Sequence, residues 1–425
     1  MAAAQQLPQV YPLGARLDGR GRLQLGGCDA LELAREFGTP AYVVDEGDLR
    51  ARARAYVAAF AAHSDDVVVH FASKAFACTA VARVLAEEGL GCDVASGGEL
   101  TMALRAGFAP EDIELHGNAK TEDELRFALD AGVGVIVVDN LDEVALLTRL
   151  LEEHGAVAPQ RVQLRIAPGV SPDTHPSIST GGPNTKFGLN LEDARLALER
   201  LAAGPDVEVE GLHFHIGSQI MELAPFRHAL ERVTAALGTD FDVWNLGGGL
   251  GVSYGPEQHQ PPPVEEYAAA KVAMVRELCG SGKRVVDEPG RALTANSTVT
   301  LYTVQSVKQN VATWVGVDGG MSDNLRPMLY DAHYEVEVAD RFGGGTACIV
   351  TGKHCESGDV LVRDALLADP RPGDVLVTPA TGAYGYSMAN TYNGQPRPPV
   401  VFVSDGDARL VVRRERYEDL FTRDV

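Results

Sequence analysis

Between residues 67 and 287, short apolar segments alternate with amphipathic helical patterns, and this alternation limits the fold more than any other feature of the chain. The strand-like segments are 67–71, 91–94, 113–116, 135–139, 162–167, 211–216, 242–246 and 284–287. Most are continuously apolar, the pattern of strands buried on both faces. Helical patterns fall at 75–88, 97–106, 122–131, 141–153, 191–203, 224–237 and 264–280, and Asn140 and Asn190 are placed to cap two of them. Eight such strands predict a (β/α)8 barrel, typically about 250 residues long. A doubly wound open sheet is the alternative, because pattern alone does not close a barrel. In a barrel, reacting groups belong just past the C-terminal ends of the strands.

After Arg291 the texture changes. Segments 298–307, 313–317, 347–350, 374–379, 400–404 and 408–413 are short, rich in Val and Thr, and separated by Gly, Pro and Asp turns. They predict an all-β domain, and the β-like pieces at 15–17 and 22–25 are expected to join it. The expected division is 1–38 as an N-terminal segment of the β domain, 39–295 as the barrel, and 296–425 as the C-terminal β domain.

Charge and cysteine usage exclude some functions. Of the 425 residues, 37 are Lys or Arg and 59 are Asp or Glu, giving −22 and arguing against a nucleic-acid partner. Residues 1–14 lack a signal-peptide pattern, and no apolar run approaches the roughly 18 residues of a membrane span. The six Cys show no zinc spacing, so a cytoplasmic protein with free thiols and no membrane partner is expected. The basic residues comprise 30 Arg but only seven Lys. Genome composition accounts for most of that bias, yet it makes each Lys worth questioning.

The strand ends carry the chemistry. Strand one runs into Lys74, where an apolar strand is expected to desolvate the amine and make it nucleophilic; a rim lysine reaching to solvent is the ordinary alternative. Strand six ends in His213-Phe214-His215-Ile216-Gly217-Ser218, with both His on one face and no third metal ligand evident nearby. Buried structural histidines would read the same way. Strand seven ends in Gly247-Gly248-Gly249-Leu250-Gly251, a run whose backbone N–H groups suit a phosphate. Its spacing and position do not fit a dinucleotide fingerprint, which makes an NAD-linked oxidoreductase remote. Strand eight ends in Asp287-Glu288-Pro289-Gly290-Arg291. Loops two and five add Ser96-Gly97-Gly98-Glu99-Leu100, Thr174-His175-Pro176 and Asn184-Thr185-Lys186-Phe187-Gly188. An amine nucleophile, a flat imidazole, a phosphate cradle and a carboxylate together fit pyridoxal 5′-phosphate (PLP) and need no metal.

With these motifs the chain resembles the fold-type III PLP-dependent decarboxylases, and among them the diaminopimelate decarboxylases. The resemblance rests on 71–75, 96–100, 215–219, 247–251 and 288–291, and it continues through 318–324, Arg326-Pro327, Tyr330, 355–359 and 382–388. It implies a PLP-binding barrel, a β domain and a homodimer with shared active sites. Lys74 would form the Schiff base with the cofactor, His215 stack on its ring, and Ser218 lie near the phosphate. Gly247, Gly248, Gly249, Gly290 and Arg291 would hold the phosphate, and Glu288 would pair with the pyridine nitrogen. Arg291, Arg326 and Tyr330 would take substrate carboxylates, with Tyr384 close to both cofactor and substrate. Cys355 would be the general acid and Glu356 would meet the distal ammonium, both supplied by the partner subunit. Leu325 and Thr391 depart slightly from the usual pattern, and neither is a proposed catalytic residue.

The implied reaction is decarboxylation of meso-2,6-diaminopimelate at its D-centre to L-lysine, the last step of lysine biosynthesis. Lysine or ornithine would leave Arg326 unpaired in a closed site, which is costly. A decarboxylase of D-lysine, D-ornithine or a natural-product amino acid is the alternative, and a non-catalytic PLP-binding homologue is more remote.

Overall fold

The computed structural model describes residues 5–155, 158–170, 181–182, 184–204, 206–255 and 260–425; the Thr174-His175-Pro176 segment lies outside them. The chain forms two compact units. One comprises Ala53–Gly251 and Gln260–Gly290; the other comprises Met1–Arg52, Val252–His259 and Arg291–Val425.

The first unit is a closed barrel, which excludes the open-sheet alternative. Its strands are Val67–Ala72, Gly91–Val94, Ile113–Leu115, Val135–Val138, Gln160–Arg165, Val207–His213, Val243–Asn245 and Arg284–Asp287. Neighbours run parallel throughout, and strand eight returns to strand one with Val285 opposite Val67. Four of the intervening helices begin at polar caps, Ser96, Thr121, Asn140 and Asn190. The Asn140 side chain accepts from the Glu143 N–H, and Asn190 accepts from the Glu192 and Asp193 N–H groups. Thr121 and Glu124 cap Glu122–Ala131 reciprocally.

Two local expectations need correction. Strand six begins at Val207 rather than 211, because Val207 and Val209 pair with Gln160 and Val162 while Glu208 and Glu210 interrupt the apolar pattern. The helix expected from residue 75 begins at Thr79, since Ser73–Ala75 forms a single tight turn that carries Lys74.

The second unit is built on a nine-stranded sheet. The boundary expected at residue 39 is displaced by Ala41–Asp45. This strand pairs antiparallel with Thr298–Gln309 and parallel with Val400–Ser404, so it belongs to the sheet rather than the barrel. Residues 291–295 likewise group with the sheet unit. Near the N-terminus, Arg16–Leu17 and Leu23–Leu25 belong to a separate four-stranded sheet. Leu17, Leu23 and Leu25 share a buried cluster with Val43, Val299, Val401 and Val403, which joins the N-terminal segment to the β domain by apolar burial. Strand Val360–Leu367 went unread in the sequence because Arg363 and Asp364 interrupt its apolar run.

Candidate active site

The interior of a (β/α)8 barrel is ordinarily filled by branched aliphatic side chains. Here every strand carries a buried polar group in its C-terminal half or at the residue that follows it. They are His70, Asp93, Glu114 and His116, Asp139, then Gln163, His213 and Asn245, and finally Asp287 and Glu288, all buried. Buried polar groups are costly unless paired; several of these pair with one another, while Asp93 is met by Lys74 and Asp287 by Lys271.

Glu288 is the hub. It accepts a hydrogen bond from Asn245 Nδ2 at 2.8 Å and lies 3.2 Å from His116 Nε2 and 3.3 Å from His213 Nε2. Burial alone would raise its carboxyl, but the two imidazoles outweigh burial and hold it well below the usual range. Glu114 accepts from Asn245 Nδ2 at 3.0 Å and Gln163 Nε2 at 3.2 Å, with His70 Nδ1 also at 3.2 Å. Against burial, the neighbouring imidazoles lower it to about 2. Against burial again, Glu288 and Asp93 raise His116 to about 10. The cluster therefore holds carboxylates around an imidazolium.

Lys74 sits on the turn after strand one. Its side chain is 43% exposed, and its Nζ lies 2.5 Å from Asp93 Oδ2. The expected apolar setting is corrected: a carboxylate from strand two faces the amine. Ala72 N–H donates to Pro289 O at 3.0 Å, which brings the Lys74 turn against the end of strand eight. A Cβ at Gly290 would stand 2.9 Å from the Ala75 Cβ, so a larger residue there would push the two segments apart.

The histidine and glycine motifs are joined in the same way. Ile220 N–H donates to Gly249 O at 2.8 Å, and Gly251 N–H donates to Ile220 O at 3.0 Å. Gly247 and Gly249 have φ of +57° and +120°, and a Cβ on Gly248 would lie 1.9 Å from the Glu288 carbonyl oxygen. The run is therefore bare backbone wedged between strands six and eight. His215 and Ser218 are half-buried beside it. Burial, with Arg165 and Lys74 nearby, pushes the His215 imidazole well down, so it stays neutral.

The remaining expected residues lie in the sheet unit. Arg291 is hydrogen-bonded to Tyr254 Oη, and its guanidinium lies 5.0 Å from the Tyr384 ring centroid. Tyr384 has φ +63°, a costly conformation for a bulky residue that clusters at functional sites. Arg326 is hydrogen-bonded to Tyr334 Oη and lies 4.8 Å from the Tyr254 ring centroid. Its Nε is buried and has no hydrogen-bond partner among the described residues. Burial would raise the Tyr254 hydroxyl, but Arg291 and Arg326 outweigh it and lower it. Tyr330 ends the short helix that Arg326 begins.

Cys355 and Glu356 are exposed on a turn between strands Thr346–Thr351 and Val360–Leu367. That turn is held firmly from below. Asp359 accepts from the Met321 N–H at 2.8 Å and the His354 N–H at 3.0 Å, and the Cys355 N–H donates to Asn393 Oδ1 at 2.8 Å.

Sequence reasoning missed Asp93, His116, Asn245, Tyr254 and Tyr334. The first three end strands, and that position was the available signal. The two tyrosines lie in loops with no motif of their own. The expectation of no third ligand near the strand-six histidines is also corrected. His116, His213 and Glu288 each bring a ligand atom within 4.8 Å of the others. A metal there would have to displace the proton that His116 holds against Glu288.

A family model described as pyridoxal-dependent decarboxylase, pyridoxal binding domain, matches residues 46–295. The chain is 44% identical over 428 residues to a diaminopimelate decarboxylase of Halalkalibacterium halodurans, covering 97% of each. It is also 44% identical to one of Bacillus subtilis, again covering 97% of each. Its fold matches a diaminopimelate decarboxylase from M. jannaschii, solved in complex with L-lysine, with a TM-score of 0.89, 35% identity and 97% coverage of both chains.

Proposed function

The chain belongs to the diaminopimelate decarboxylase family of PLP-dependent enzymes, and from that premise we propose that it removes CO2 from the D-centre of meso-2,6-diaminopimelate to form L-lysine. The observation that carries the substrate assignment is Arg326, buried with an Nε that has no partner among the described residues. A buried guanidinium with a spare donor suits a carboxylate, and diaminopimelate has one more carboxylate than lysine or ornithine.

The side chains of the barrel unit fit the cofactor. Lys74 offers the amine for covalent attachment, Gly247, Gly248, Gly249 and Gly290 offer bare backbone to the phosphate, and Ser218 a hydroxyl; the resemblance adds Arg291 of the sheet unit to the phosphate ligands. Glu288, held ionised by its imidazole neighbours, would accept a hydrogen bond from a protonated pyridine nitrogen. His215, held neutral, suits a ring face without adding charge. When bound, PLP supplies the electron sink for the pair released as the Cα–CO2⁻ bond breaks.

The remaining work falls to this chain's own groups. Arg291, Arg326 and Tyr330 orient the substrate carboxylates, with Tyr384 beside Arg291. Glu356 receives the distal ammonium. The Cys355 thiol donates the proton to Cα after CO2 leaves. In this reading the enzyme is a homodimer, with Cys355 and Glu356 serving the partner subunit's site. Their exposure on a firmly held turn supports it, because an acid that protonates carbon needs cover from water. A cytoplasmic location is supported by six unpaired cysteines. Among the described residues, no helix is long and apolar enough to cross a membrane.

The test is a substrate panel on the purified full chain with PLP present. CO2 is expected from meso-diaminopimelate and not from D-lysine or D-ornithine. Release from D-ornithine alone would transfer the assignment to the related decarboxylases. A PLP-bound protein that releases CO2 from none of them would be a carrier.

A further inference from the structure

Lys271 is fully buried on the inner face of helix Val264–Cys279, and nothing in the proposed chemistry uses it. Its Nζ donates to Gly247 O at 2.7 Å, to Leu246 O at 3.3 Å, and to Asp287 Oδ2. An ammonium has three donors, and these three acceptors use them all. Asp287 is in turn fixed by the Tyr56 hydroxyl at 2.9 Å and the Tyr267 hydroxyl at 3.1 Å. The ammonium also lies 4.2 Å from the Phe226 ring centroid and 4.7 Å from that of Tyr267.

This arrangement dictates which way the glycine run faces. In a planar trans peptide, C=O and N–H point in opposite directions. The only cis bond among the described residues is Thr39-Pro40. Anchoring the Gly247 carbonyl on Lys271 therefore turns the Gly248 N–H to the opposite side of the run. Anchoring the Leu246 carbonyl does the same for the Gly247 N–H, which donates to Asn245 Oδ1 at 3.0 Å. Asn245 Nδ2 is the donor to Glu288. A single buried cation thus sets the direction of two amides: the Gly247 N–H is committed to Asn245, which connects the run to the Glu288 hub, and the Gly248 N–H faces away from Lys271.

We propose that Lys271 is a positioning residue for the cofactor phosphate: paired with Asp287, it anchors the Gly247 carbonyl and so holds the Gly248 N–H turned toward the anion. This rests on the assignment of that run as the phosphate cradle. Arginine does not substitute, because its longer planar fork cannot present three donors around one point in a sealed site.

The experiment compares PLP with pyridoxal, which lacks the phosphate. Full-length protein is stripped of cofactor and titrated with each, following the absorbance of bound ligand. Lys271→Met is expected to weaken PLP about tenfold or more, on the scale of lost hydrogen bonds to a charged group. Its pyridoxal affinity should change by less than about threefold. Because the single variant leaves a buried carboxylate unpaired, Lys271→Met/Asp287→Asn is made alongside it and should show the same phosphate-specific loss. Equal losses for both ligands would overturn the proposal and make Lys271 a general support of the barrel. Unchanged PLP affinity, or failure of both variants to fold, would overturn it as well. A wild-type protein that binds PLP no better than pyridoxal would instead reject the glycine run as a phosphate cradle, and this inference with it. A wild-type protein that binds neither would reject the cofactor assignment itself.

Discussion

Glu114 and His116 alternate at the end of one strand and titrate in opposite senses. Glu114 is lowered from 4.5 to about 2, so its contribution to stability is present above pH 4.5 and is lost as pH falls toward 2. His116 is raised from 6.5 to about 10, so its contribution is full below pH 6.5 and is lost as pH rises through 10. The pair together contribute most between those two reference values. Replacing His116 by Gln should therefore cost on the order of 2 kcal/mol at pH 6, with the difference from wild type shrinking toward pH 10. Denaturant unfolding of both proteins across that range is the measurement. A difference independent of pH would mean that the imidazole is not charged in the fold. This cluster also marks where residue-level reading ended. Lys74, His215 and Glu288 stand in recognisable local strings. Asp93 and His116 acquire meaning only from neighbours that barrel closure supplies, and no window of sequence contains both His116 and Glu288.

At the scale of elements, what was legible followed from how local each signal is. An N-cap depends on a few adjacent residues, so Asn140 and Asn190 were readable, and both side chains accept the backbone N–H groups expected of them. Asn190→Ala should cost about 1 kcal/mol in unfolding free energy and leave decarboxylation unchanged. Paired denaturation and CO2-release measurements check this. A loss of activity with unchanged stability would give the helix that follows a role in the site. Strand ends were less legible, because pairing extends a strand beyond its apolar stretch. Val207–His213 reaches back through Glu208 and Glu210 on hydrogen bonds to Gln160–Arg165, a partner more than forty positions away. Ala41–Asp45 was missed for a related reason. It is buried at every position, like a barrel strand, but its neighbours lie near residues 300 and 400.

For the whole molecule, the proposed exchange of Cys355 between subunits has an arithmetic consequence. Lys74→Ala and Cys355→Ala should each be inactive alone. Mixed equally and allowed to exchange, half of the dimers would be mixed, and each would hold one complete site of its two. Activity should then recover to about one quarter of wild type, as two-fold symmetry requires. No recovery after verified exchange would place Cys355 in its own subunit's site.

The sheet position of Ala41–Asp45 bears on how the protein is made. This strand leaves the ribosome early, yet its two partners, Thr298–Gln309 and Val400–Ser404, are translated after every barrel strand. At about 5–20 residues per second, roughly 18–70 s separate its synthesis from that of its last partner. Until Thr298–Gln309 is made, an Ala-Tyr-Val-Val segment has both edges unpaired, and one edge stays open until Val400–Ser404 follows, the condition that invites pairing with the wrong chain. The barrel can close on its own schedule, whereas the sheet must wait for residues 400–404. The newborn chain is therefore exposed to misassembly at Ala41–Asp45, and the arrival of Val400–Ser404 brings that exposure to an end.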